Sequence, residues 1–166
     1  MMNTFATLEM LGTVTFAISG AIAAIRHKVD IGAVIVIAFL VGNGGGTLRG
    51  MMLGQGAVFW IQQKQFLLYA AVAGLATFAI IALTRKLTPF MVYYKYSERW
   101  INTVFIWFDA IAVGIFAVGG AQITLNKGFD PVIAVIMGMV TCVGGGTIRD
   151  LLLGEIPIIV SDEFYM

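Results

Sequence analysis

The chain is poor in the residues from which most enzyme sites are built. Its 166 residues include one cysteine, Cys142, and one histidine, His27. A single cysteine excludes an intrachain disulfide, and a single histidine excludes a metal site made of several histidines. Charged residues make up only 11% of the chain, and ten Lys and Arg against nine Asp and Glu leave a net charge of +1. This balance creates no field that would attract nucleic acid, so no nucleic-acid partner is predicted.

Apolar residues are what the chain has in abundance. They make up 60% of it, whereas a soluble domain has roughly 45–50%. A helix rises about 1.5 Å per residue, so about 20 residues cross a hydrocarbon core of about 30 Å. Five runs are long enough, namely residues 10–25, 31–48, 65–84, 100–126 and 131–148. The sequence therefore predicts an all-α polytopic membrane protein, with one transmembrane domain over residues 1–166.

An internal repeat becomes visible when the chain is shifted by 100 residues. The segment GGGTLR at 44–49 aligns with GGGTIR at 144–149, and Leu53-Gly54 aligns with Leu153-Gly154. The register continues without a gap through Phe16 and Phe116. Self-similarity at one fixed offset indicates that the chain contains two copies of one structural unit.

The repeat predicts how the two units are oriented. The first unit has three helices over residues 5–84, and the second, which is incomplete, covers residues 100–166. The first span corresponds to the fourth and the second to the fifth, so equivalent spans are three apart in the order of the chain. Because three is odd, the two units cross the membrane in opposite directions. Such an inverted repeat is typical of secondary transporters.

The charges between the spans predict the orientation of the whole chain. Six basic residues follow the first and third spans, and two lie on the opposite side: Arg26, Lys28, Arg85, Lys86, Lys95 and Arg99 against Lys64 and Lys127. Cytoplasmic loops carry the excess of Lys and Arg. The N-terminus is therefore predicted to lie outside.

The glycine triplets allow two interpretations. Each glycine costs a helix about 1 kcal/mol against alanine, so three in a row favour a break. We expect the second and fifth spans to be broken at Gly44, Gly45 and Gly46 and at Gly144, Gly145 and Gly146, with Thr47 and Thr147 beside the breaks. In inverted-repeat transporters, broken helices offer backbone groups to ions. The alternative is close helix packing, because small residues recur every four positions at Gly42, Gly46, Gly50 and Gly54.

An arginine follows each triplet by three residues. A charge near the bilayer centre costs at least about 2.5 kcal/mol, so Arg49 and Arg149 are expected to face a wet pathway or a carboxylate. The alternative is that both snorkel to the interface. Asp150 adjoins Arg149, whereas Gly50 adjoins Arg49. Because neighbouring residues on a helix point apart, Asp150 need not pair with Arg149.

Two carboxylates stand at equivalent positions of the first and fourth spans. Glu9 is expected in the first helical turn, where it complements the helix dipole. Asp109 is the most deeply placed carboxylate and is a candidate ion ligand or proton carrier. Its alternative role is an intramembrane ion pair with Arg49 or Arg149. Asp30 and Asp130 precede the second and fifth spans and are expected to be N-caps.

Taken together, these motifs resemble the prokaryotic trimeric intracellular cation (TRIC) channels. The opening LEMLGTVTFAISGAIAAIRHK and the later GGGTIRDLLLG are similar to that family, and the resemblance covers essentially the whole chain. It implies seven spans, a homotrimer in the inner membrane, and a pore within each protomer for monovalent cations, chiefly K⁺. It also implies that Gly44–Gly46 and Gly144–Gly146 lie at that pore. Five spans are found here, so helices six and seven of that family are expected to be missing or truncated in this chain.

Three functions compete at this point. The resemblance implies a channel, a carrier of glycine or another small amino acid is the alternative, and a membrane scaffold would need no pathway. Both a channel and a carrier use broken helices. No hydrolytic or redox constellation is present, so no enzyme, no cofactor and no metal beyond passing K⁺ are predicted.

Overall fold

The computed structural model describes residues 4–54, 56–87 and 90–160. The described residues are helical, without strands. Their elements are α1 Thr4–Arg26, α2 Ile31–Met52, α3 Phe59–Gln62, α4 Gln65–Leu87, α5 Phe90–Asn126 and α6 Pro131–Leu153, followed by a 3-10 turn at Ile158–Val160. The all-α prediction is confirmed. The last residues of the predicted second unit, 161–166, lie outside the described part.

Five helices are long and apolar enough to cross a membrane. They are the ones that the sequence predicts, over Ala6–Arg26, Ile31–Met52, Gln65–Lys86, Arg99–Asn126 and Pro131–Leu153. One boundary differs, because α5 begins at Phe90 and not near Trp100. The charges Lys95 and Arg99 therefore lie on a helical extension of α5 instead of in a loop.

Helix caps fix where α2 and α6 begin. The carboxylate of Asp30 accepts a hydrogen bond from the backbone N–H of Ala33 at 2.8 Å. The carboxylate of Asp130 accepts one from Val132 at 2.8 Å, and Pro131 occupies the first helical position. Each bond satisfies one of the free N–H groups at a helix start. The two predicted N-caps are confirmed.

Helix α1 lies at the centre of the bundle. It packs against α2, α4 and α5, while α2 packs against α6 and α6 against α5. Its small residues Ala17, Ala21 and Ala24 are fully buried in the core, together with Phe16. In a membrane, small residues at helix contacts let neighbouring helices approach closely. The arrangement brings α2 and α6, the two glycine-rich helices, into direct contact.

The predicted breaks at the glycine triplets are wrong. Helix α2 is helical at every residue through Gly44–Gly46, and α6 is helical at every residue through Gly144–Gly146. The packing interpretation is the one that the structure supports. The backbone bonds of these helices need no substitute partners, because neither helix is interrupted.

The glycines permit a backbone-to-backbone crossing of α2 and α6. A Cβ added to Gly45 would lie 1.9 Å from the carbonyl oxygen of Thr141, and one added to Gly145 would lie 2.6 Å from that of Val41. Val41 and Thr141 are themselves 100 residues apart. The same pair of contacts is thus made by both repeats across this crossing. The loss of helix propensity at glycine is offset by packing that no larger residue permits.

We expect Gly45→Ala to destabilise the protein by about 1–3 kcal/mol, because its Cβ would push the backbones of α2 and α6 apart. Gly114→Ala is the matched control. Gly114 lies in α5 with no atom within 4 Å of an added Cβ. Thermal unfolding in mild detergent measures the difference. Equal unfolding temperatures for the two variants would contradict a tight crossing at Gly45.

Candidate functional site

A buried ion pair ties α1 to α2 in the first repeat. Arg49 donates from Nη2 to Oε1 of Glu9. The arginine is only 2% exposed, and the side chain of Glu9 is 15% exposed. Glu9 lies in the second turn of α1, which begins at Thr4. The prediction that it sits in the first turn is therefore wrong, and its main role here is to neutralise Arg49.

The second repeat contains the equivalent ion pair with additional partners. Arg149 donates from Nη1 to Oδ1 of Asp109, to which Ser19 also donates, at 2.8 Å. Ser19 in turn accepts from Arg149 at 3.1 Å, and Nε of Arg149 donates to Asp150 at 2.8 Å. The guanidinium carbon also lies 4.7 Å from the ring centre of Phe105. Of the two predicted roles for Asp109, the ion pair with Arg149 is therefore present.

One sequence-based interpretation of the arginines is wrong, and a pairing that the sequence left open is present. Neither arginine snorkels, because Arg49 is 2% and Arg149 is 1% exposed inside the protein. A buried carboxylate one helix away is closer than the interface, and it compensates the charge. Asp150 does pair with Arg149 although the two residues are adjacent. The rule that neighbours point apart describes Cβ directions, and the long arginine side chain bends back so that Nε meets the carboxylate.

A cavity of about 250 Å³ opens beside the second ion pair. Its polar lining consists of Asp109, Thr147, Arg149 and Asp150. Gly146 also lines it, and an added Cβ there would meet only a guanidinium nitrogen of Arg149, 3.8 Å away. These carboxylate, hydroxyl and guanidinium groups form a small part of a mostly apolar wall, around a space with the volume of several waters.

A smaller cavity of about 140 Å³ lies in the first repeat. Asn43, Gly44 and Thr47 line it together with Trp60. The hydroxyl of Thr47 donates to the carbonyl oxygen of Asn43 at 2.7 Å and accepts from the indole N–H of Trp60 at 3.0 Å. The side-chain oxygen of Asn43 is buried without a hydrogen-bond partner among the described residues. The groups that line this cavity are polar at Asn43 and Thr47, but its exposed wall is almost wholly apolar.

An aromatic stack occupies the centre of the bundle. The rings of Phe16 and Phe116 lie 5.3 Å apart at an angle of 23°. An added Cβ on Gly145 would lie 3.2 Å from the ring of Phe16. Phe16 and Phe116 are repeat equivalents, so their contact marks the region where the two units meet. The packing role expected for both is present.

The predicted site residues thus do not form one site but lie at five places. Those at the larger cavity are Asp109, Gly146, Thr147, Arg149 and Asp150, and those at the smaller one are Gly44 and Thr47. Gly45, Gly144 and Gly145 lie in the crossing of α2 and α6, and Gly46 faces the ring of Phe59. Arg49 belongs to the first ion pair. Across the described ranges, no group of three His, Cys, Asp or Glu side chains could hold a metal ion.

Sequence reasoning missed Ser19 and the partner choice of each arginine. Ser19 is fully buried and bonds both members of the second pair. Its repeat equivalent is Gly119, so a polar residue replacing glycine in an apolar span was the available signal. The sequence also contained a signal for which carboxylate pairs with which arginine. Glu9 precedes Arg49 by the 40 residues that separate Asp109 from Arg149.

We expect Glu9→Gln to destabilise the protein more than Asp109→Asn does. Glu9 is the one carboxylate bonded to Arg49 among the described residues, whereas Arg149 keeps Asp150 when Asp109 is neutralised. A buried arginine left without a counter-charge costs roughly 3–5 kcal/mol. Unfolding in detergent with increasing denaturant compares the two variants. A larger loss for Asp109→Asn would show that Asp150 does not compensate Arg149.

Comparisons with known proteins agree with this architecture. A family model described as glycine transporter matches residues 6–92 and 106–166. The UPF0126 inner membrane protein YadS of Escherichia coli K12 is 36% identical over 158 residues, which are 95% of this chain and 70% of that protein.

Solved structures with this fold are channels. The TRIC trimeric intracellular cation channel orthologue from Rhodobacter sphaeroides is 34% identical, with a TM-score of 0.81 over 97% of this chain and 76% of that one. A second TRIC cation channel structure is 33% identical, with a TM-score of 0.74 over 98% of this chain and 73% of that one. These neighbours are not enzymes, in agreement with the sequence prediction. The chain therefore belongs to the membrane-protein family that includes the UPF0126 proteins and the TRIC channels, as its glycine motifs predicted.

Proposed function

We propose that the chain is a channel for monovalent cations, chiefly K⁺, with a pore inside each protomer of a homotrimer. The observation that carries the proposal is its 34% identity to a solved TRIC channel, with a TM-score of 0.81 over 97% of the chain. The relative from E. coli is named an inner membrane protein, which supports the same location for this chain. The excess of basic residues on one side supports an N-terminus outside.

The proposed pathway joins the two cavities. Helices α2 and α6 run in opposite directions if each spans the membrane, so Arg49 and Arg149, both near the ends of their helices, lie towards opposite surfaces. Asp109 and Asp150 are among the residues that line the larger cavity, and Asn43 and Thr47 are among those that line the smaller one, so each mostly apolar wall contains oxygen-bearing side chains that opening could present to an ion. Oxygen ligands of this kind replace the hydration shell of a cation.

The narrow part of the pathway lies where the two repeats meet. The stacked rings of Phe16 and Phe116 lie beside the glycine crossing, and Phe16 also lines the larger cavity, so this apolar region is the constriction that we propose. An apolar constriction stops ions by excluding water. The glycines of the crossing let α2 pack directly against α6 here, namely Gly45, Gly144 and Gly145. In the proposed resting state this constriction is closed.

Arg149 is the proposed gate residue of the larger cavity. Its positive charge would oppose a cation unless Asp109 and Asp150 offset it. Ser19 bonds both Arg149 and Asp109, so it holds the guanidinium at the carboxylate. Opening would move the guanidinium within this network and expose carboxylate oxygen to the ion.

The description of the family model supports a second candidate, a glycine carrier. A carrier would occlude its substrate, bind the substrate carboxylate at a cation and bind the amine at an acidic group. Arg149 and Asp109 offer such groups, but they are already bonded to one another. The bond between Arg149 and Asp109 favours the channel, because this buried ion pair would have to separate fully before the two residues could bind the two ends of an amino acid.

We expect the purified protein in planar bilayers to give unitary K⁺ currents, and Gly146→Val to reduce their amplitude severalfold. The valine side chain would extend into the larger cavity, where an added Cβ meets only Arg149. Gly114→Val is the matched control, since Gly114 is exposed in α5. Glycine uptake into liposomes without unitary currents would reject the channel and favour the carrier. Unchanged amplitude in Gly146→Val would remove this cavity from the pathway.

We expect Ser19→Ala to raise the open probability of the channel without changing its unitary amplitude. The substitution removes two hydrogen bonds that hold Arg149 at Asp109, while all charges stay. Thr15→Ala is the matched control, because the Thr15 hydroxyl donates only within α1, to Leu11 and Gly12. A purely structural role for Arg149 predicts reduced thermal stability of Ser19→Ala with unchanged open probability.

A further inference from the structure

The two buried arginines are unequally supplied with partners. Nε of Arg149 donates to Asp150, and its Nη1 donates to Asp109 and Ser19. Arg49 donates only from Nη2, to Glu9, and its Nε and Nη1 are buried without a hydrogen-bond partner among the described residues. A charged donor that is buried and unbonded loses several kcal/mol of solvation without compensation. The first repeat therefore lacks an acceptor that the second repeat supplies.

The missing acceptor corresponds to one residue of the repeat. Asp150 aligns with Gly50 in the 100-residue register. An added Cβ on Gly50 would meet no atom within 4 Å, apart from its immediate neighbours along the helix. The position beside Arg49 thus has room for a side chain.

We propose that Arg49 and Gly50 form a binding site for a small monocarboxylate of acetate size. One carboxylate oxygen accepts from Nε of Arg49, as the carboxylate of Asp150 accepts from Nε of Arg149. The ligand is either a simple carboxylate or the carboxylate end of a small amino acid, because both present the same group to the guanidinium. Glu9, whose side chain is 15% exposed, marks the accessible side of the site.

The chemistry of the guanidinium favours a carboxylate over a halide. Arginine presents directed N–H donors in a plane, which match the lone pairs of a carboxylate, and charge-assisted bonds of this kind are short and strong. The second repeat uses this solution at the equivalent Nε, with a carboxylate on a single methylene. Acetate reproduces that group atom for atom. Binding also brings the first ion pair to the same composition as the second, one arginine with two carboxylates.

The site does not depend on whether the chain is a channel. Its readout is ligand binding to the purified protein, and conductance is not needed. A protein without unitary currents could still bind acetate at Arg49, and a protein that does not bind acetate could still conduct K⁺. The two proposals can therefore fail independently.

The test is a titration of thermal stability in detergent with sodium acetate, with zwitterionic glycine at neutral pH, and with sodium chloride, which also keeps the ionic strength equal in all three series. A ligand that binds only the folded protein raises the unfolding temperature in proportion to ln(1 + [L]/Kd). We expect acetate to give a rise with this logarithmic dependence in the wild type and chloride to give none. A rise with glycine equal to that with acetate indicates that the ligand can be an amino acid, and acetate alone indicates a simple carboxylate.

Gly50→Asp is the decisive variant, because it places the carboxylate of the second repeat at the first. It should raise the unfolding temperature without ligand and weaken the acetate response at least about tenfold, since the acceptor is already present. Arg49→Lys keeps the charge but removes Nε, and should weaken the response similarly. An unchanged response in Gly50→Asp, an equal response to chloride, or no response of the wild type to acetate would each overturn the proposal.

Discussion

The contact between the backbones of α2 and α6 is the constraint on which the rest of the structure depends. A membrane provides little hydrophobic drive between helices, so close packing must supply the association. At this crossing the carbonyl oxygens of Val41 and Thr141 occupy the space that side chains at Gly145 and Gly45 would need. Neither helix gives up its own hydrogen bonds to achieve this. The glycines shape the centre of the bundle by their lack of a side chain, and not by breaking the backbone.

The position of the crossing also determines where the two arginines can find a counter-charge. Arg49 and Arg149 each follow the contacting glycine, Gly45 or Gly145, by one helical turn. Each arginine therefore lies just beyond the crossing, near the end of its helix. From there its side chain reaches α1 in the first repeat and α5 in the second. Because a buried arginine left without a carboxylate is strongly unfavourable, the pairs with Glu9 and Asp109 fix α1 against α2 and α5 against α6. In both pairs the partners are 40 residues apart in sequence, so the two repeats neutralise their arginines in the same way.

The sequence alone predicts the spans, their caps and the repeat, because length, composition and periodic motifs determine these locally. It mispredicts the glycine triplets, since the helix propensity of Gly44–Gly46 favours a break and only the partner helix explains why none forms. It also leaves the partner of Asp109 open between two arginines. The common 40-residue spacing would have selected Arg149. By contrast, nothing in the sequence reveals that the side chain of Arg149 bends back to its neighbour Asp150.

The two repeats pack in the same way but differ at the larger and the smaller cavity. These differences make the two cavities unequal. Phe59 lies against Gly46, whereas its equivalent Ile159 lines the larger cavity, in which Gly146 remains uncovered.

The charged groups differ in the same direction. Asp150 adds a second carboxylate beside Arg149, whereas Gly50 adds none beside Arg49. A guanidinium with several bonded partners can exchange one for another without ever becoming an isolated buried charge, which keeps the barrier to movement low. Arg49 has one carboxylate to hold and would lose it on moving. These contacts favour movement of the arginine at the second repeat and oppose it at the first, which supports the proposal that the pathway opens from the larger cavity.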